Sequence, residues 1–180
     1  MNIFVLDYEP ELAAMWLCDK HVVKMPVESA QMMASALRRH GATDDDMPLT
    51  KSGTPYRGGY KHHPCTVWAG ECQANFWWLF RHAREICRQY SLRYNKVHAC
   101  EYAILSMGDR LCTLPGRTKN LSLLSRTDFV QAMPDELKRD CPVEAYRNYY
   151  RIAKRSIAKY RLGNAPEWLS QEKSHDLETV

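Results

Sequence analysis

No run of apolar residues in this chain reaches the roughly 18–20 that a membrane span needs, and its first residues carry neither the basic region nor the long apolar region of a secretory signal. The chain is therefore expected to work in the cytoplasm, with no membrane partner. No Cys-x-x-Cys pair occurs, and the seven cysteines are odd in number and scattered from Cys18 to Cys141. That pattern argues against a disulfide framework or a structural zinc site and for reduced thiols. A Walker loop, a dinucleotide-binding glycine fingerprint and a nucleophile-elbow serine are all missing, so the commonest nucleotide-driven, dinucleotide-dependent and serine-hydrolase chemistries have no footing. Internal repeats and low-complexity tracts are absent, and alternating strand patterns are few.

What is present is a globular composition: 180 residues, 45% apolar and 26% charged, with a formal net charge of +4. The expected fold is all-α, a compact single-domain helical bundle over residues 1–169 with a kinked N-terminal helix and long loops, followed by a frayed polar tail at 170–180. Met1 to Asp7 reads as a brief strand or an extended lead-in. A helix is expected from near Glu11 to Arg39, with a kink or break at Pro26. Residues 41–61 form a long loop, and a second helix is expected from Cys65 to Tyr94. A third spans Lys96 or His98 to Met107, the polar stretch Thr113 to Asn120 is a loop, and Pro142 opens a helix running to about Tyr160.

Three segments carry the chemistry-bearing residues. On the first helix, His21, Lys24, Glu28 and Gln31 fall at i, i+3, i+7 and i+10, one narrow polar stripe among Val22, Met25, Ala30 and Met32. Glu28 suits a general base or charge stabiliser, His21 or His63 a proton shuttle, and Lys24 a phosphate contact or an amine nucleophile. The segment Tyr56 to Pro64 surrounds Gly58–Gly59 with Arg57, Tyr60, Lys61, His62 and His63, a basic and aromatic lip. Asn75 is expected to be buried and aimed at His62 or His63. The last helix interleaves Arg147 and Arg151 with Tyr146, Tyr149 and Tyr150, a pattern suited to phosphates and stacked bases. Neither a metal nor another cofactor is expected.

These segments resemble the small all-α phage enzymes of the pyrimidine-dimer DNA glycosylase (endonuclease V) type. The chain is still more similar to a group of phage proteins sharing the start Asn2 to Asp7 and the segment Asp19 to Met25. The likeness lies in the first-helix rhythm of Glu11, Leu12, Ala13, Leu17 and Pro26. It continues in the histidine turn Lys61 to Pro64 before a long aromatic helix through Phe76, Trp77 and Leu79 to Asn95, and in Tyr146 to Tyr150. Glycosylases of this type use the amine of the residue after the removed methionine as nucleophile, with a glutamate two residues before the helical proline. Here position 2 is Asn2, whose size opposes removal of Met1. Lys24 stands two before Pro26, and Glu28 lies one turn further on.

The resemblance implies a phage-type enzyme that cleaves, exchanges or modifies a base in a flipped-out nucleotide of DNA. Its expected catalytic residues are Glu28, His21, Lys24 and His63. Gln31, Asn75, Tyr60, Lys61, Arg57, Arg147, Tyr150 and Arg151 are expected to bind substrate. Two alternatives are an enzyme acting on a free nucleotide or nucleoside and a non-catalytic protein that binds DNA or a host protein.

Overall fold

Pro10 sits in the first turn of α1 (Pro10–Met15), where a missing N–H costs nothing, and Glu11 faces the positive end of the dipole. The helix then stops where a continuous one was expected. Trp16 to Cys18 turn the chain, and α2 (Asp19–Arg39) starts anew. Arg93, from a distant part of the sequence, fixes this corner. Its Nη2 donates to the Met15 carbonyl at 3.0 Å and its Nη1 to the Leu17 carbonyl at 2.8 Å, with Asp19 Oδ1 at 3.2 Å. The carbonyls that a helix end leaves open are thus satisfied by a buried guanidinium. α2 runs through Pro26 without a break, so the interruption falls at Trp16–Cys18 and not at the proline. The computed structural model describes residues 1–108, 110, 125–162 and 165–170. The expected loop at Thr113–Asn120 and the polar tail beyond Ser170 lie outside them.

The second expected helix is also two. α3 (Pro64–Ala69) ends at Gly70, and α4 (Gln73–Tyr94) follows after a short turn. Asn75 holds this corner: its Nδ2 donates to the Trp68 carbonyl at 2.8 Å and to Thr127 Oγ1 at 2.7 Å, and its Oδ1 accepts from the Thr127 N–H at 2.9 Å. Its amide is therefore committed to Trp68 and Thr127, which corrects the expected orientation towards His62 or His63. α5 (Glu101–Gly108), α6 (Pro142–Ala153) and α7 (Glu167–Ser170) complete the helices among the described residues, with short 3-10 turns at Asp135–Leu137 and Arg155–Ile157. Among the described residues there is no strand, and none of the helices is long and apolar enough to cross a membrane.

α4 is the central post, packing against α1, α2, α3 and α5. Glu11 on α1 receives both arms of Arg81 on α4 at 2.8 Å each, an exposed fork worth at most about 1 kcal/mol. The apolar interior of the helices carries most of the stability, through Leu17, Met32, Leu37, Trp68, Phe76 and Leu79, all fully buried. The N-terminal segment is not a strand. Asn2 Oδ1 accepts from the Ile3 and Phe4 N–H groups, Phe4 takes a left-handed φ of 41°, and residues 2 to 6 sink into the core.

Two interior histidines make this core sensitive to acid. His82 packs flat on Trp78 with neither ring nitrogen partnered among the described residues, and burial lowers its pKa to about 3. His21 is lowered to about 4, first by burial and then by Lys154. Unfolded, both titrate near 6.5. The neutral rings therefore contribute stability that is fully present above pH ~6.5, is lost as pH falls through about 4 for His21, and continues to be lost towards about 3 for His82. Between pH ~6.5 and ~5 each should cost about 2 kcal/mol of unfolding free energy. Urea titrations at pH 7 and 5 measure this, and His82→Leu should remove that residue's share of the pH dependence.

Candidate active site around Glu28

Glu28 lies on the face of α2 that meets the start of the chain, its side chain 11% exposed. Its Oε2 accepts from the Asn2 backbone N–H at 2.9 Å and stands 3.8 Å from the Met1 amine. On its other side, Lys24 Nζ approaches Oε1 to 3.0 Å from a position 66% exposed. One nearly buried carboxylate thus faces two amines, one held by the fold and one reaching in from solvent. The Met1 side chain is itself packed, with Thr66 Oγ1 donating to its sulfur at 3.1 Å. Asn2 adds a further tie through Nδ2 to the Ala132 carbonyl at 2.8 Å.

His63 belongs to the same neighbourhood. It caps α3, its Nδ1 accepting from the Cys65 N–H at 3.2 Å. Burial, and then the positive Met1 amine, hold its imidazolium below the usual histidine range, while Glu28 pulls the other way. With Nδ1 occupied as an acceptor, the neutral ring presents Nε2–H, which can donate a hydrogen bond. The structure therefore brings Glu28, Lys24 and His63 together.

Other expected site residues are placed elsewhere. His21 is turned inward, stacked on Phe4 at 4.3 Å and hydrogen-bonded through Nδ1 to the Tyr150 hydroxyl. Tyr150 is fully buried, so it is a core residue and not a stacking platform. Arg147 donates to the Leu6 carbonyl, pairs with Asp7 at 3.2 Å and lies over the Trp16 ring. Arg151 donates to the Trp168 carbonyl. The basic tyrosine helix thus turns tyrosines and guanidinium groups inward, because a tyrosine's apolar ring and an arginine's stem gain from burial while their polar ends find partners.

Further along the same face of α2 come Gln31 and Ser35. Ser35 Oγ accepts from the Gly59 N–H at 2.9 Å and donates to the Gly59 carbonyl at 3.0 Å, pinning the lip to the helix. Gly58, at φ +79°, is required here: a Cβ would sit 2.3 Å from Ser35 Oγ and 2.8 Å from its backbone nitrogen. Tyr60 is 68% exposed at a left-handed φ of 51°. Arg57 and Lys61 line a cavity with Arg38 and Arg39, two cations that the sequence did not mark as site residues. The Met1 amine was missed as a partner of Glu28, although the apolar segment after Asn2 and the polar stripe on α2 were both legible. No group of three metal-ligating side chains converges among the described residues.

Comparison with known proteins gives one result. The family model described as pyrimidine dimer DNA glycosylase matches residues 1–102, which takes in α1 to α4, Glu28, His63 and the whole lip. No curated protein and no solved structure matches the chain.

Proposed function

The chain belongs to the pyrimidine dimer DNA glycosylase family, and from that premise we propose that it releases a base from a flipped-out nucleotide of DNA, using an amine beside Glu28 as nucleophile. The observation that carries this reading is the Met1 amine 3.8 Å from a carboxylate that is otherwise nearly buried. The amine nitrogen bonds to C1′ as the bond from C1′ to the base breaks, and the base leaves with that bond's electron pair. Glu28 accepts the proton lost by the amine and returns it to the ring oxygen as the sugar opens to an imine. Water then hydrolyses the imine and frees the amine. The departing base takes its proton from water or from His63 in its imidazolium form.

Two amines flank Glu28, and their chemistry separates them. As a class, α-amines are weaker bases than lysine ε-amines by roughly 2–3 pK units, so a larger fraction is unprotonated and nucleophilic near neutral pH. Met1 is also held by packing, whereas Lys24 is largely exposed. Met1 is accordingly the assigned nucleophile. Borohydride trapping on a duplex with an abasic site, followed by peptide mass mapping, should place the adduct on Met1. An adduct on Lys24 would transfer the role. No adduct, together with no base release from plain, damaged or modified duplexes, would sink the glycosylase reading.

A further inference from the structure

The C-terminal half of α2, the lip and α3 enclose a cavity of about 440 Å³ lined by Arg38, Arg39, Arg57, Lys61, His62 and Ser35, with Val67 at its wall. None of its lining residues is acidic. Arg38 is balanced by Asp44 at 2.7 Å. Among the described residues the Arg39 guanidinium donates only to carbonyls, those of Val67 at 3.1 Å and Lys61 at 3.2 Å, so its position is fixed with no carboxylate beside it there. Arg57 and Lys61 are exposed and have no carboxylate partner among the described residues. The negative end of the α2 dipole, roughly half a charge, works against an anion here. Three unbalanced cations outweigh it. A concave site with fixed guanidinium donors and excess positive charge suits a phosphate group.

Its place on the helix says which phosphate. Ser35, Arg38 and Arg39 follow Glu28 along one face of the unbroken α2. They are displaced from Glu28 by ~10–17 Å at 1.5 Å per residue. A strand advances ~3.4 Å per nucleotide along the duplex axis, so with α2 laid along that axis the span corresponds to about three to five nucleotides. We propose that the cavity seats a backbone phosphate of the DNA strand about three to five nucleotides from the target held at Glu28. This assignment rests on the glycosylase reading for its register, but not for the binding itself. The lip, pinned by Ser35 and carrying Arg57 and Lys61, is then the strand clamp, and Gln31 lies between clamp and reacting centre.

Duplex affinity measured against salt tests the proposal in the full-length protein. The double variant Arg57→Ala/Lys61→Ala removes two exposed charges without breaking a side-chain hydrogen bond among the described residues, and circular dichroism checks its fold. Its log K against log salt slope should flatten by about 1–2, with an affinity loss of tenfold or more near 50 mM salt. A slope and affinity equal to those of the unaltered protein would overturn the proposal. Inorganic phosphate and a nucleoside monophosphate, at matched ionic strength, form the second arm. Saturable binding of either one that leaves duplex affinity unchanged and disappears in the double variant would assign the cavity to a free phosphate and overturn the strand assignment. Single methylphosphonate substitutions in an abasic duplex form the third arm. The neutral linkage that weakens binding by the unaltered protein but not by the double variant should lie about three to five nucleotides from the abasic site, and its absence at every position overturns the register. Loss of duplex binding in the double variant, with neither imine trapping nor base release by the unaltered protein, would leave the clamp standing and remove the glycosylase reading instead.

Discussion

Replacing Glu28 by glutamine should reduce imine trapping and base release by about 10²–10⁴-fold, the range that one proton-transfer group commands. The substitution isolates chemistry from structure. A glutamine oxygen still accepts from the Asn2 N–H, which the carboxylate holds at 2.9 Å. What is lost is the negative charge facing the Met1 amine and Lys24, and with it the capacity to take a proton from the attacking nitrogen. Single-turnover trapping with excess protein reads the chemical step, while urea titration verifies that the fold is retained. A glutamine variant that traps at the unaltered rate would remove Glu28 from the mechanism. Duplex affinity should be retained in the same variant, since no phosphate contact is assigned to the carboxylate.

Arg93→Ala should cost about 3–5 kcal/mol of unfolding free energy, the range seen when one partner of a buried, hydrogen-bonded charge is removed. The guanidinium is 6% exposed and donates to the carbonyls of Met15 and Leu17 and to Asp19. Without it, two carbonyls at the corner between α1 and α2 lose their donor, and Asp19 loses its cation. Arg93→Lys should recover only part of the loss, because one ammonium cannot span acceptors arranged for a planar fork. Urea unfolding of both variants gives the comparison. A cost below 1 kcal/mol for the alanine variant would show that packing alone holds the corner.

This corner also explains where the sequence stops being legible. Helical periodicity runs unbroken from Leu12 through Leu17 to Met33, and the only local breaker in that run is Pro26. The break instead falls at Trp16–Cys18, where a residue more than seventy positions away supplies the cap. No window of local sequence contains that information. The same holds at Gly70–Cys72, where Asn75 and Thr127 close the turn. The all-α class, by contrast, was readable, because it depends on periodicity alone.

The candidate site divides along the same line. Glu28, Lys24 and Gln31 share a helix face, and spacing alone assigns them to it. The partner of Glu28 is the chain's first residue, which no helical period points to. The tyrosines and arginines of α6 read as a nucleic-acid face because composition does not tell an exposed guanidinium from one donating to the Leu6 or Trp168 carbonyl. Arg38 and Arg39 went the other way. At the end of a helix they carry no spacing signal, and only the folded lip reveals the cavity they share with Arg57 and Lys61.

The tie between Asn2 and the Ala132 carbonyl reaches beyond the segment that the family match covers. Tyr146, which bonds the Val130 carbonyl and the Ala132 N–H, and Tyr150 behind His21 lie in that same outer portion. The first 102 residues, which the family model matches, therefore hold Glu28, Lys24 and His63, while part of the chain beyond them sets the seat on which the first residue rests. A change in that seat would move the Met1 amine relative to Glu28 with neither residue altered.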